Sequence, residues 1–186
     1  AADQMLWAID AELNDDYELC HGSEAFWERE YPSAAWNTVA EKLMQRLNQQ
    51  KPAKGQDSSS RSYRREHLSD WLILALEKAG RQDEIIPICE REAKETASYV
   101  RLVNRLMKAN RREEAEHWIY EGIRATRKQW PGIATELRTI LRQIREKDKD
   151  WPQVAALRAE DFFPQPSLQT FSELRKAAEQ AGVWPE

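Results

Sequence analysis

The sequence predicts an all-α protein built as an array of helical hairpins. Glycine and proline number only 6 and 8 in 186 residues, while charged residues reach 32%. That balance suits helices far better than strands. Apolar residues recur at three- and four-residue spacing along most of the chain, which places them on one helical face. One hairpin pattern is also written twice, thirty residues apart. The first copy is Leu72-x3-Leu76-x-Lys78-Ala79-Gly80-Arg81-x2-Glu84, and the second is Leu102-x3-Leu106-x-Lys108-Ala109-Asn110-Arg111-x2-Glu114. Each leucine pair marks a buried face; Gly or Asn then ends the helix, and a charged turn opens the next. Repeated hairpins stack on one another and share an elongated core, a shape that serves mainly to hold other molecules.

The first element runs from about Gln4 to Asn14, with Met5, Leu6, Ile9 and Leu13 at helical spacing. The acidic connection Asp15-Asp16-Tyr17-Glu18 leads to Leu19-Cys20-His21-Gly22, where Ser23 is placed to cap a short helix carrying Phe26 and Trp27. Tyr31-Pro32 breaks it. Ser33 is then expected to cap a longer helix with Trp36, Val39, Ala40, Leu43, Met44 and Leu47 on one side. Residues 49–62 show no apolar period and read as a flexible linker or loop, because nothing in them buries enough surface to offset ordering. This divides the chain into an acidic helical unit (1–48), a linker (49–62) and a hairpin array (63–186).

Within the array, helices are expected near 66–79, 83–95, 98–109, 112–128, 133–147, 152–162 and 167–181. Ser98 and Ser167 suit N-cap positions, and Pro131 and Pro152 suit first turns. Pro87 is tolerable only if its helix starts at Asp83 or later. The pair 133–147 and 152–162 reads as a third, diverged hairpin with Leu137 and Leu141 in the leucine phase. The last helix reads as half of a fourth pair. The chain opens Ala-Ala-Asp-Gln and enters a helix almost at once, so it reads as a piece of a longer protein. The core is expected to include Leu72, Leu76, Ile85, Ile88, Leu102, Leu106, Ala115, Ile119, Leu137, Leu141, Val154 and Leu157. Most of the eight tryptophans are expected to wedge between helices.

Charge is unevenly shared. Residues 1–48 hold 10 acidic and 3 basic side chains, against 22 and 25 in residues 49–186. The acidic start is therefore expected to pack against basic helices of its own chain rather than to meet a basic partner. Cys20 and Cys89 are far apart, no secretion signal opens the chain, and Cys89 shares the apolar phase of Ile85 and Ile88. Reduced thiols, a packed Cys89 and a cytoplasmic location follow. The longest apolar run, Trp71 to Leu76, is far shorter than the ~20 residues of a membrane span.

No motif for chemistry emerges. Cys20-His21 is the only adjacent pair of metal-type ligands, and C-x2-C, H-x3-H and H-E-x-x-H are absent. There is no G-x-S-x-G, and the histidines His21, His67 and His117 have no evident nucleophile beside them. The chain reads as non-enzymatic, with no cofactor or metal of its own. Arginine rows are the remaining signal: Arg61, Arg64 and Arg65 around Tyr63; Arg101, Arg105 and Lys108; and Arg138, Arg142 and Arg145. Such rows suit a phosphate backbone. Dilution by nearby Glu and a sequence pI of 5.6 favour a solvated, ion-paired face instead.

The strings Met5-Leu6-Trp7-Ala8-Ile9-Asp10-Ala11-Glu12-Leu13, Cys20-His21-Gly22-x2-Ala25-Phe26-Trp27-Glu28 and Ala34-Ala35-Trp36 resemble bacterial SWIM zinc finger proteins. Leu68-Ser69-Asp70-Trp71-Leu72, Trp130-Pro131-Gly132-Ile133-Ala134, Trp151-x-Gln153-Val154-Ala155-Ala156-Leu157-Arg158-Ala159 and Pro166-Ser167-Leu168 continue the likeness. It covers nearly the whole chain and matches the helical region that follows the finger. The family's zinc ligands transfer to no residue here, since the chain has no C-x-C. What the resemblance implies is a tetratricopeptide-like α-α superhelix within a larger zinc finger protein, with zinc only in an upstream finger. The thirty-residue period and the missing Trp-x2-Leu-Gly opening depart from the ~34-residue tetratricopeptide pattern.

The expectation is a non-catalytic scaffold that binds a protein partner along the groove formed by the first helix of each pair. Arg64, Arg65, Arg101, Arg105 and Arg138 are the candidate groove residues. The competing function is a nucleic-acid module that assists the finger in the full-length protein.

Overall fold

The computed structural model describes residues 1–13, 24–50 and 58–184. Among them every regular element is helical. The helices are Ala2–Leu13 (α1), Glu24–Trp27 (α2), Ser33–Gln49 (α3), Ser58–Ala79 (α4), Ile85–Thr96 (α5), Tyr99–Lys108 (α6), Arg112–Thr126 (α7), Pro131–Lys147 (α8), Trp151–Phe162 (α9) and Leu168–Gln180 (α10). A 3₁₀ turn, Gln82–Glu84, leads into α5. This turn settles Pro87, which becomes the third residue of α5, where a missing N–H breaks no helical bond.

The hairpin punctuation is visible in the backbone. Gly80 and Asn110, the paired residues of the duplicated motif, both adopt left-handed geometry, with φ of 79° and 57°. Lys149 does so at the corresponding turn between α8 and α9, with φ of 59°. After α4 the Gly80 N–H donates to Glu77 O and the Arg81 N–H to Leu76 O, at 3.1 and 2.9 Å. The same two-bond closure recurs after α8, from Lys149 to Glu146 O and from Asp150 to Arg145 O. These pairs satisfy carbonyls that the helix end leaves open.

Caps differ in detail from expectation. Ser33 is the first helical residue, and Pro32 takes the cap position, its carbonyl accepting from Ala35 at 2.9 Å. Proline's fixed φ, here −59°, already suits that position. Ser98 precedes α6 but makes no cap bond, because its hydroxyl is engaged by Thr96 and Arg101. Ser167 forms a full capping box with Thr170. Asp150 caps α9 by accepting from the Gln153 N–H.

By contacts the chain divides into two compact units, Ala1–Ala109 and Asn110–Glu186. In the first, α4 is central and packs on α1, α3 and α5, while α5 packs on α6. Helices α1 and α3, from the acidic stretch, pack on α4 within this unit. Helix α4 begins at Ser58, inside the segment expected to be linker, because extending a helix from the anchored Leu68–Leu76 stretch costs little per residue. Residues 51–57 of that segment, the Asp15–Glu18 stretch, Cys20-His21 and the Ser23 cap lie outside the described residues. In the second unit each helix from α7 to α10 packs on the next in sequence.

The core of the first unit holds Met5, Ile9, Leu43, Leu47, Leu72, Ile73, Leu76, Leu102 and Leu106, all essentially inaccessible to solvent. Each such side chain contributes about 1.5–3 kcal/mol of burial free energy. The second unit buries Ala115, Ile119, Leu137, Leu141 and Val154. Of the expected core, only Leu157 stays half-buried. Trp27 meets Trp36 and Trp71 with ring centroids 6.1 and 4.5 Å away, a wedge of the kind expected for tryptophan. Trp7 and Trp130 are the exceptions, 74% and 40% exposed. Among the described residues no helix is long and apolar enough to cross a membrane.

Candidate interaction surface

The five candidate arginines fall in different environments. Arg65 points inward from α4 and is buried. Its Nε and Nη2 donate to the two carboxylate oxygens of Glu92 on α5, at 2.6 and 2.8 Å. Its Nη1 donates to the carbonyls of Leu47 and Gln50, which end α3. One guanidinium thus ties three helices together, with Nε, Nη1 and Nη2 all engaged inside the fold. Arg65 is a structural residue because burial demands that every donor be satisfied. Its neighbour Arg64 is exposed and lines a cleft of about 400 Å³ with Asp10, Leu13, Arg46, Gln49, Gln50 and Leu68. The Asp10 carboxylate accepts from both Nη atoms of Arg46 there, at 2.5 and 3.0 Å.

Arg101 and Arg105 share a face of α6, as their spacing predicts, but that face lies against α4-borne carboxylates. Arg101 pairs with Asp70 and donates to the Ser98 hydroxyl. Arg105 donates to Glu77 at 2.6 Å and lines a cleft of about 360 Å³ with Ile85, Ile86, Lys108 and Ala109. In the second unit Arg138 and Arg142 both reach Asp161 of α9, at 3.5 and 2.6 Å. The Nε atoms of Arg101 and Arg138 are buried without a hydrogen-bond partner.

This pattern extends through the array. Arg112 and Arg145 clamp Glu116 and also engage Asp148. Arg158 joins Glu146 to Glu173, and Arg81 joins Glu41 to Glu84. The hydrogen bond from Arg145 is the main reason the Glu116 carboxyl titrates below its ordinary value; the bond from Arg112 adds to it. Asp148 and Glu84 are lowered chiefly by hydrogen bonds from Arg112 and Arg81. Burial pushes the Glu66 carboxyl and the Cys89 thiol up. Pairing runs mostly between helices rather than along one helix, which sequence spacing alone does not reveal. The acidic start takes part through Asp10–Arg46 and Glu41–Arg81.

Solvent-facing rings were not part of the sequence expectation. Phe163 and Leu168, in and after the α9–α10 turn, are 74% and 90% exposed. Phe162 meets both Phe163 and Phe171, with centroids 5.6 and 6.0 Å away, and Phe171 meets Trp184 at 5.8 Å. The only sequence cue was Phe163-Pro164-Gln165-Pro166, which ends α9 and leaves Phe163 without a helical face to join. Among the described residues no group of three or more His, Cys, Asp or Glu side chains is placed to hold a metal ion.

No protein-family model, curated protein or solved structure matches this chain.

Proposed function

We propose that this chain is a non-catalytic, tetratricopeptide-like helical scaffold for protein–protein recognition, and that it forms the C-terminal part of a larger zinc finger protein. The observation that carries the recognition half is the exposure of Phe163, Leu168 and Phe171 on the α9–α10 hairpin, where Phe162 lies between the Phe163 and Phe171 rings at 5.6 and 6.0 Å. Contiguous exposed rings on a folded helical unit mark contact surfaces, because leaving them in water is costly. The duplicated hairpin and its left-handed Gly80 and Asn110 support a repeat architecture. The zinc finger context rests on the resemblance of the sequence strings to SWIM proteins. The arginine rows lend less to the reading, since most are spent on internal pairs.

The test is a pull-down using the full 186-residue chain beside a Phe163→Ser, Leu168→Glu variant. Both positions are exposed, so the variant should keep the parent's circular dichroism and melting. A protein recovered by the parent and lost with the variant is the expected result. Equal recovery by both, or recovery of nucleic acid alone, would overturn the reading.

A further inference from the structure

The second unit spends its arginines on internal ion pairs with one exception. Among the described residues Arg127 has no carboxylate partner. It stands where α7 ends, its backbone helical and its N–H donating to Ile123 O at 3.0 Å. Tyr120, Arg124 and Arg127 are spaced i, i+4 and i+7, so they share one face of that helix. Lys128 follows, exposed and also without a carboxylate. Trp130 is held at the same end by its N–H bond to Thr126 O at 2.7 Å. Tyr120 and Trp130 are 46% and 40% exposed. The result is three cations at the C-terminal end of α7, with an exposed aromatic residue before them and another after them in sequence.

The helix dipole favours cations at a helix C-terminus, which accounts for a positive charge here. It does not account for exposed rings on both sides of the charges. The other lysines of the unit are arranged differently: Lys147 and Lys149 alternate with Asp148 and Asp150, and Lys176 stands three residues from both Glu173 and Glu179. Arg124 does contact Glu121, at 3.1 Å, but its side chain is 71% exposed. Such a surface pair is worth only a few tenths of a kcal/mol and yields readily to a competing anion.

We infer that the Tyr120–Trp130 surface binds a short acidic segment of a partner protein, one carrying carboxylates with an aromatic or apolar residue among them. The charges select the carboxylates, and the rings supply amphipathic contact area. Local extent decides between this ligand and nucleic acid. Residues 110–186 hold 13 basic and 13 acidic side chains, so the unit as a whole offers no positive track. A polyanion longer than this patch would run onto surface of mixed charge, such as Glu113 and Glu114 at the far end of α7. An acidic peptide fits within the patch.

The probe is the synthetic peptide Asp-Glu-Phe-Asp-Glu-Tyr-Asp-Glu, titrated into the 186-residue chain and followed by amide and indole NMR signals. Saturable shifts at the Trp130 indole and at the amides around Arg124 and Arg127 are expected. The Arg127→Glu, Lys128→Glu variant should weaken binding about tenfold or more with its melting unchanged, and Arg127→Lys should retain most of it. A parallel titration uses a twelve-nucleotide oligothymidylate. Tighter, steeply salt-dependent shifts with the oligonucleotide would overturn the peptide assignment in favour of nucleic acid. Absence of shifts with the peptide, or binding that the charge reversal leaves unchanged, would overturn the site.

Discussion

The hairpin of α4 and α5 and the hairpin of α9 and α10 are built from different materials. The first buries Leu72, Ile73, Leu76, Ile85 and Ile88, together with the ion pair of Arg65 and Glu92. The second closes on Val154, Ala155, Ala177 and Ala178, with Trp151 and Trp184 laid against them. Large branched side chains interlock and fix one packing. Alanines let two helices approach closely but supply little apolar area, so the aromatic rings that cover them stay partly in water. The same chain thus contains a hairpin made to hold its shape and another that leaves apolar surface for contact.

The largest expected effect tests the buried pair. Glu92→Ala leaves the Arg65 guanidinium buried without its carboxylate, and the loss should be about 3–5 kcal/mol in denaturant unfolding. Combining Arg65→Met with Glu92→Leu should recover most of that, because the desolvation cost disappears along with the pair. Failure of the double variant to recover would mean that the Leu47 and Gln50 carbonyls need Arg65 more than Glu92 does.

Next comes the contrast in core size. Leu72→Ala should cost about 2–5 kcal/mol through the cavity it leaves. Val154→Ala removes less volume from a core that is already thin, and about 1–2 kcal/mol is expected there. Hydrogen exchange should show the two losses in different units, Leu72→Ala loosening α4 and Val154→Ala loosening α9 and α10. Equal losses would erase the distinction between the hairpins.

The smallest effect concerns acid. Glu116 titrates below its ordinary value of 4.5 because Arg145 and Arg112 hydrogen-bond its ionised form. A carboxyl depressed on folding contributes stability above its unfolded pKa and loses it as pH falls through the folded value. The contribution of Glu116 is therefore intact at neutral pH and declines below about 4.5. Glu116→Gln should lower stability at pH 7 and flatten the fall between pH 5 and about pH 3 in urea titrations. An unchanged acid slope would show that the clamp does not act in solution.

Leu72, Leu76, Leu102 and Leu106 were legible in the sequence because helical spacing alone requires a common face. Gly80 and Asn110 were legible because a left-handed helix end favours those residue types. Pro131 and Pro152 were equally readable as first-turn residues. The candidate surface was much less legible. Arg65 reads as one member of an arginine cluster, yet tertiary packing turns it inward against Glu92, 27 residues away. Arg101 and Arg105 form a row in sequence, and Asp70 and Glu77 across the helix interface neutralise it.

The sequence by itself determined most helix ends and the apolar faces of the hairpins, the start of α4 excepted, because those properties depend on neighbours within a few residues. Only the tertiary structure decided which charges remain available, because an ion pair depends on distances between side chains from separate helices. That is why Arg127, unremarkable in the sequence, emerges as the arginine of its unit without a carboxylate partner among the described residues. It is also why Phe163 and Leu168, unassigned by periodicity, become the most exposed apolar surface of the α9–α10 hairpin.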